Sequence, residues 1–146
     1  MFKKNKTQVI GRLETVNFPN EGIYGIPAKI DTGAFTTSVW ATDIVLEDGI
    51  LSFKILGPDI KGYTGQEIKT KDFKKVVIHN SFGHSEKRFR VDMTMEMAGR
   101  KLKTKVNLSN RSLNTYPILI GRRTINGKFV VDVSKSKVKH ANSKVR

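Results

Sequence analysis

Four residues, Asp31-Thr32-Gly33-Ala34, carry the clearest chemistry in this 146-residue chain. An apolar run over 26–30, interrupted only by Lys29, leads into them, and a second strand-like segment over 36–41 leads away. Strand, tight turn, strand holds a carboxylate close to backbone at the floor of a cleft. The glycine lets other backbone approach closely, and the threonine hydroxyl is free to hydrogen-bond sideways. A carboxylate so placed can activate water, but one carboxylate cannot serve as general base and general acid at once. Two carboxylates about 3 Å apart cannot both ionise readily, so one keeps a proton and the other accepts one. The ionised member then activates water and the protonated member donates to a carbonyl. No second Asp-Thr/Ser-Gly occurs in the chain, so the partner carboxylate must come from a second copy about a two-fold axis.

Other chemistries lack their residues. There is no cysteine, which removes thiolate metal sites, cysteine nucleophiles and disulfide frameworks. The histidines are His79, His84 and His140; none belongs to a His-Glu-x-x-His, and His79 with His84 lacks a third ligand, so no metal is expected. No Gly-x-x-x-x-Gly-Lys-Ser/Thr is present, so no nucleotide cofactor is expected. Asp43, Asp92 and Asp132 stand in other contexts and read as surface or structural acids. Trp40, Phe35 and the methionines at 93, 95 and 97 read as packing residues.

Around these residues the elements are strands. The segment 7–18 mixes β-branched and polar residues, breaks at Gly11 and ends at Pro19-Asn20. Residues 23–30 form the strand into Asp31. Residues 43–46 and 50–55 form a hairpin about Asp48-Gly49, a pair that tolerates positive φ. The glycine-rich stretch 57–66 is a loop, 68–80 a strand, and 81–86 a polar turn with Gly83 near its tip. Phe89, Val91, Met93, Met95 and Met97 alternate with polar residues, and Leu102, Thr104, Val106 and Leu108 answer them across Ala98-Gly99-Arg100. Pro117-Ile118-Leu119-Ile120 is apolar throughout, as in a strand buried on both sides. One helical turn follows over 122–126, and 129–133 is a last strand. The expected class is all-β, a closed or barrel-like sheet with at most one short helix.

Composition sets the wider bounds. A chain of this length is one domain that buries roughly 68–70% of its unfolded surface. It is 38% hydrophobic and 27% charged, as in soluble globular proteins. No apolar run approaches the ~18 residues that span a membrane, and MFKKNKTQ lacks the apolar core of a secretory leader. With cysteine absent, a cytoplasmic location is expected. The net charge of +14 attracts polyanions. Five of the Lys/Arg lie in 134–146, which reads as a mobile basic tail on a domain spanning 1–133; the body keeps +9.

The Asp-Thr-Gly-Ala turn followed far downstream by Ile-Leu-Ile-Gly-Arg resembles the retropepsin-like aspartic proteases. Within that group the chain is most similar to the bacterial family once called an ATP-dependent zinc protease. Residues 28–34 with Thr37-Ser38, and Asn110-Arg111-Ser112 followed by 116–123, match its two motifs, and the likeness covers 8–133. The resemblance implies a small β-barrel that dimerises, with one Asp-Thr-Gly loop from each subunit. It implies Asp31 as the catalytic carboxylate, Thr32 bracing the two loops across the dimer, and Gly33 admitting substrate backbone beside Ala34 and Phe35. It further implies Ile118, Leu119, Ile120 and Gly121 as the strand supporting the loop, and Arg122 as a brace at the dimer edge. A glycine-bearing hairpin tip closes over substrate in such enzymes; Phe82, Gly83 and His84 are the candidates here, with the loop 57–66 as competitor. Phe35 departs from the pattern, because viral members carry an acid there that pairs with the late arginine. Arg122 must therefore find another partner.

The function expected is a homodimeric aspartic endopeptidase with no cofactor, acting on peptide or protein substrates, acidic ones in view of the charge. The bacterial family is often found beside ATP-grasp enzymes that add glutamates to proteins, which points to glutamate-rich substrates. The competing class is a non-catalytic dimeric module for acidic peptides or nucleic acid. Arg100, Lys101, Lys103 and Lys105 would form its phosphate-meeting stripe; it lacks a recognition helix and an aromatic-interleaved strand.

Overall fold

The computed structural model describes residues 6–79 and 82–140, and over these the alternation of the sequence becomes eleven strands and one short helix. In chain order they are β1 (Gln8–Ile10), β2 (Leu13–Phe18), β3 (Ile23–Ile30), β4 (Thr37–Glu47), β5 (Ile50–Ile55), β6 (Ile68–Thr70), β7 (Phe73–His79), β8 (Ser85–Met97), β9 (Arg100–Ser109), β10 (Ile118–Ile120), α1 (Arg122–Ile125) and β11 (Phe129–Val131). A single 3-10 turn, Pro19–Glu21, joins β2 to β3. No helix among the described residues is long and apolar enough to cross a membrane.

Two hairpins set the frame. Ala98 and Gly99 (φ 55° and 73°) turn β8 into β9, and Asp48 and Gly49 (φ 52° and 76°) turn β4 into β5. Positive φ at both central residues matches the turn to the right-handed twist of the strands. β10 then lies parallel to β3 and antiparallel to β4. From β3 the pairing passes to β2, then β8, β9 and back to β4, so the hydrogen-bonded path returns to β10. Inside it pack Val16, Ile26, Val39, Met95, Leu108 and Ile118, all essentially buried. The sheet extends outward through β5, β6 and β7, and β1 pairs separately with β11.

Two boundaries differ from the sequence reading. The segments 36–41 and 43–46 are one strand, β4, kinked by a bulge where Asp43 has φ 51° and the register shifts between Thr42 and Val45. The strand expected over 68–80 breaks at Lys71-Asp72, where the Thr70 hydroxyl accepts the Asp72 N–H at 2.9 Å; Asn80 lies outside the described residues. The loop 57–66 packs inward, with Ile60 and Tyr63 against the core and Gly57 against the Trp40 ring.

Residues 134–140, part of the stretch set apart above as a basic tail, run back along β2. Arg12 N–H donates to the Lys135 carbonyl at 2.9 Å and Leu13 N–H to that of Ser136 at 2.8 Å. Gly11 is where this segment crosses: a Cβ there would lie 2.7 Å from the Lys135 oxygen. The anchor is Glu14, which shares the inward phase of β2 with Val16 and Phe18 and is buried. His140 Nε2 meets its Oε1 at 2.6 Å, and Lys137 Nζ donates to the Thr15 hydroxyl at 2.7 Å. A buried carboxylate needs such a partner. His140→Ala is therefore expected to cost about 1–3 kcal/mol, read as a fall in thermal midpoint. Adding Glu14→Gln should restore part of the loss, because the orphaned charge is then gone. Residues 141–146 lie outside the described residues.

Candidate active site

β3 delivers Asp31, and β10 fixes where the strand stops. Asp31 N–H donates to the Ile120 carbonyl at 2.9 Å, continuing the parallel pairing of Ile118, Leu119 and Ile120 with Ala28, Lys29 and Ile30. The loop then folds on itself. Gly33 N–H donates to Asp31 Oδ1 at 3.0 Å, and Ala34 N–H to the Asp31 carbonyl at 3.2 Å. A Cβ on Gly33 would lie 3.2 Å from that Oδ1, so the glycine keeps the carboxylate in its turn.

The turn from β10 into α1 clamps the other side. Arg122 N–H donates to the Ala34 carbonyl at 2.8 Å and Arg123 N–H to that of Phe35 at 2.9 Å. Gly121 N–H donates to the Thr37 hydroxyl at 3.0 Å. That hydroxyl lies 2.6 Å from the Thr124 hydroxyl, which in turn lies 2.7 Å from that of Thr104. All three threonines are buried, so a chain of hydroxyls ties β4, α1 and β9 together behind the loop. Thr37→Val keeps the shape but leaves the Gly121 N–H unpaired. It is expected to lower stability by about 1–3 kcal/mol in urea unfolding, with m unchanged.

Arg122 finds the partners that the departure at Phe35 required. Its Nη1 donates to the Thr32 carbonyl at 3.0 Å, and its guanidinium stands 5.5 Å from the centre of the Phe35 ring. The Arg123 guanidinium stands 4.8 Å from the same ring. A ring quadrupole thus replaces a carboxylate as the seat of positive charge. Phe35 remains 56% exposed beside the loop. The Thr32 side chain is exposed.

A polar layer lies on the face of β4 and β9 turned away from the core. Ser38 and Ser109 share a hydrogen bond of 2.9 Å, and Arg90 Nε donates to Asn107 Oδ1 at 2.9 Å. Arg111, in the loop before β10, donates from Nε to the Tyr116 carbonyl at 2.9 Å. Burial pushes the Arg111 guanidinium below its ordinary pKa; the Arg88 charge adds to this, and Asp31 opposes it. Burial and then the Arg123 charge do the same to Arg90. These arginines were not singled out as site residues. The Asn-Arg-Ser motif was the signal for Arg111 and the end of the 116–123 motif that for Arg123; nothing in the sequence marked Arg88 or Arg90.

The hairpin-tip candidates stand apart from the loop in chain and sheet. β9 pairs with β8 only as far as Phe89↔Leu108, and beyond it β8 pairs with β7 alone, out to His79↔Ser85. The ribbon carries Phe82, Gly83 (φ 79°) and His84 at its end, with Phe82 85% exposed. The remaining acids have structural partners: Asp43 pairs with Lys54 and Asp92 with Lys105, each at 3.0 Å, and Asp132 accepts from the Ser134 N–H and hydroxyl. No three His, Asp or Glu side chains gather among the described residues.

The model of the RimB-like family, described as the retropepsin-like aspartic endopeptidase RimB, matches residues 9–142. The chain belongs to that family. Its match runs past Val133 into the segment that lies along β2. A protein of unknown function from Legionella pneumophila has a similar fold, with a TM-score of 0.69 and 24% identity, over 94% of this chain and 100% of that one. Curated relatives include proteins named probable alpha-L-glutamate ligase. That of Desulfotalea psychrophila is 30% identical over 129 residues, 86% of this chain and 28% of its own length. That of Shewanella pealeana is 30% identical over 138 residues, 88% of this chain and 29% of its own. The chain thus spans less than a third of these relatives.

Proposed function

We propose that the protein is a homodimeric aspartic endopeptidase in which two Asp31 carboxylates hold the attacking water between them. The observation that carries this reading is the loop itself: Asp31 is pinned by the Ile120 carbonyl and the Gly33 N–H, while α1 clamps Ala34 and Phe35. A catalytic carboxylate needs this kind of rigid support. The exposed Thr32 hydroxyl is suited to bracing a second copy of the loop. The strand path returning to β10 supports a closed barrel, and the β7–β8 ribbon supports Phe82, Gly83 and His84 as the closing flap, ahead of the inward-packed loop 57–66.

For the substrate, the charge of +14 favours acidic chains. The relatives' names add a chemical reason. A ligase that joins glutamate through amide bonds produces acidic peptide, and a peptidase domain in the same protein would hydrolyse such bonds. A cytoplasmic site of action fits the absence of cysteine. The competing nucleic-acid stripe is less favoured: Lys105 is paired with Asp92, and Arg100 is engaged with the Lys6 and Lys128 carbonyls and stands 5.6 Å from the Phe129 ring centre.

The test is hydrolysis of glutamate-rich peptides by the purified chain. Cleavage lost with Asp31→Asn and indifferent to chelator is the expected result. Cleavage that survives the substitution overturns the mechanism. Tight, steeply salt-dependent nucleic-acid binding without any cleavage would favour the binding module.

A further inference from the structure

Arginines gather beside Asp31 without matching acids. Arg88 and Arg90 share one face of β8, two residues apart, and Arg90 is held against Asn107 of β9. Asn107 pairs in register with Arg90 on one side and with Ser38 of β4 on the other, and the Arg123 guanidinium stands 4.8 Å from the ring centre of Phe35 in the loop after Asp31; the charges of Arg88 and Asp31 act on Arg111, and that of Arg123 on Arg90. Among the described residues only Arg88 has a carboxylate, that of Glu86 at 3.0 Å. Two buried nitrogens, Arg88 Nε and Arg123 Nη1, have no hydrogen-bond partner among the described residues.

This arrangement is costly for stability alone. Like charges repel at short range, and a buried donor on a charged group forfeits its hydration. Such groups persist where a ligand supplies what is missing. The layer beneath them is built rather than incidental: Asn107, Ser38 and Ser109 are buried and hydrogen-bonded on the face away from the core. An apolar peptide side chain would strand these groups, whereas a carboxylate accepts from a guanidinium fork in two parallel bonds.

We propose that Arg90, oriented by Asn107, together with Arg88, Arg111 and Arg123, forms a subsite that binds a carboxylate side chain of the peptide next to Asp31. Arg90 and Arg111 contact the ligand, and Asn107 is a positioning residue. The proposal rests on the peptide-substrate reading above and adds to it the residues that select the side chain. It predicts discrimination between glutamate and its neutral isostere at a subsite next to the scissile bond.

The test uses binding rather than turnover, in the full chain carrying Asp31→Asn, titrated calorimetrically with oligoglutamate and oligoglutamine of equal length. Oligoglutamate is expected to bind at least about tenfold more tightly. Arg90→Gln should abolish most of that preference, and Arg90→Lys should restore part of it. Arg111→Gln serves if circular dichroism shows that Arg90→Gln does not fold. Lys101→Gln with Lys103→Gln removes charge from the outward face of β9 and should leave the preference intact. Equal affinity for the two peptides overturns the proposal, as does a preference that the β9 pair reduces as much as the arginine changes do. Tighter binding of an oligodeoxythymidylate of the same length also overturns it. Absence of hydrolysis by the unsubstituted protein would sink the peptidase reading while leaving this result standing.

Discussion

Asp31→Asn is expected to lower kcat by about 10²- to 10⁴-fold, the loss typical of removing a group that moves the proton, while the protein stays folded. The fold survives because the asparagine Oδ1 can still accept the Gly33 N–H, and the backbone bonds to Ile120 and Ala34 do not involve the side chain. Chemistry is lost because an amide cannot take a proton from water at neutral pH. Homodimeric catalysis has a sharper signature. If equal amounts of native and Asp31→Asn subunits are mixed and allowed to exchange, only about one quarter of dimers carry two intact loops. Activity should fall to about that fraction if both carboxylates are needed. A fall only to one half would mean that each subunit works alone.

Gly121→Ala is expected to destabilise the protein by about 2–3 kcal/mol, the upper part of the usual range for overpacking, and to remove activity from whatever folds. The backbone of Gly121 is extended (φ −94°, ψ 175°), so alanine meets no torsional objection. The obstacle is space. A Cβ there would lie 2.7 Å from the Thr36 carbonyl carbon, 2.9 Å from its oxygen and 3.0 Å from the Phe35 carbonyl carbon. All three are backbone atoms of the loop that follows Asp31, so no side chain can rotate away. Relief must come from moving that loop or from breaking the Gly121 bond to Thr37. Chemical denaturation and peptide hydrolysis on the same sample would show both effects. Native stability with native activity would mean that the clamp between β10 and the loop is not required.

The Asp-Thr-Gly-Ala turn, the Ile118–Ile120 strand, the two hairpins and the short helix were all legible in the chain. Each is a local pattern: two-residue alternation, an Asp-Gly or Ala-Gly turn, an apolar run bounded by Pro117 and Gly121. Family resemblance tied Asp31 to the distant Ile-Leu-Ile-Gly-Arg run, and the parallel pairing of Ile118 with Ala28 places them side by side.

What only the tertiary structure decided are matches between residues that are ordinary on their own. Glu14 reads as a surface acid until β2 turns it inward and His140 arrives 126 positions later. The basic stretch after Val133 looks like solvated charge until Gly11 leaves room for it to cross. Phe35 looks like a missing acid until two guanidiniums stand near its ring. Arg90 is an ordinary strand cation until β9 brings Asn107 to it, and Arg123 until the loop brings the Phe35 ring to it. By itself the sequence determined the reactive turn and the strands that carry it, because periodicity and turn chemistry act over a few residues. Which groups surround that turn was decided by the fold, because burial and charge depend on partners far away in the chain.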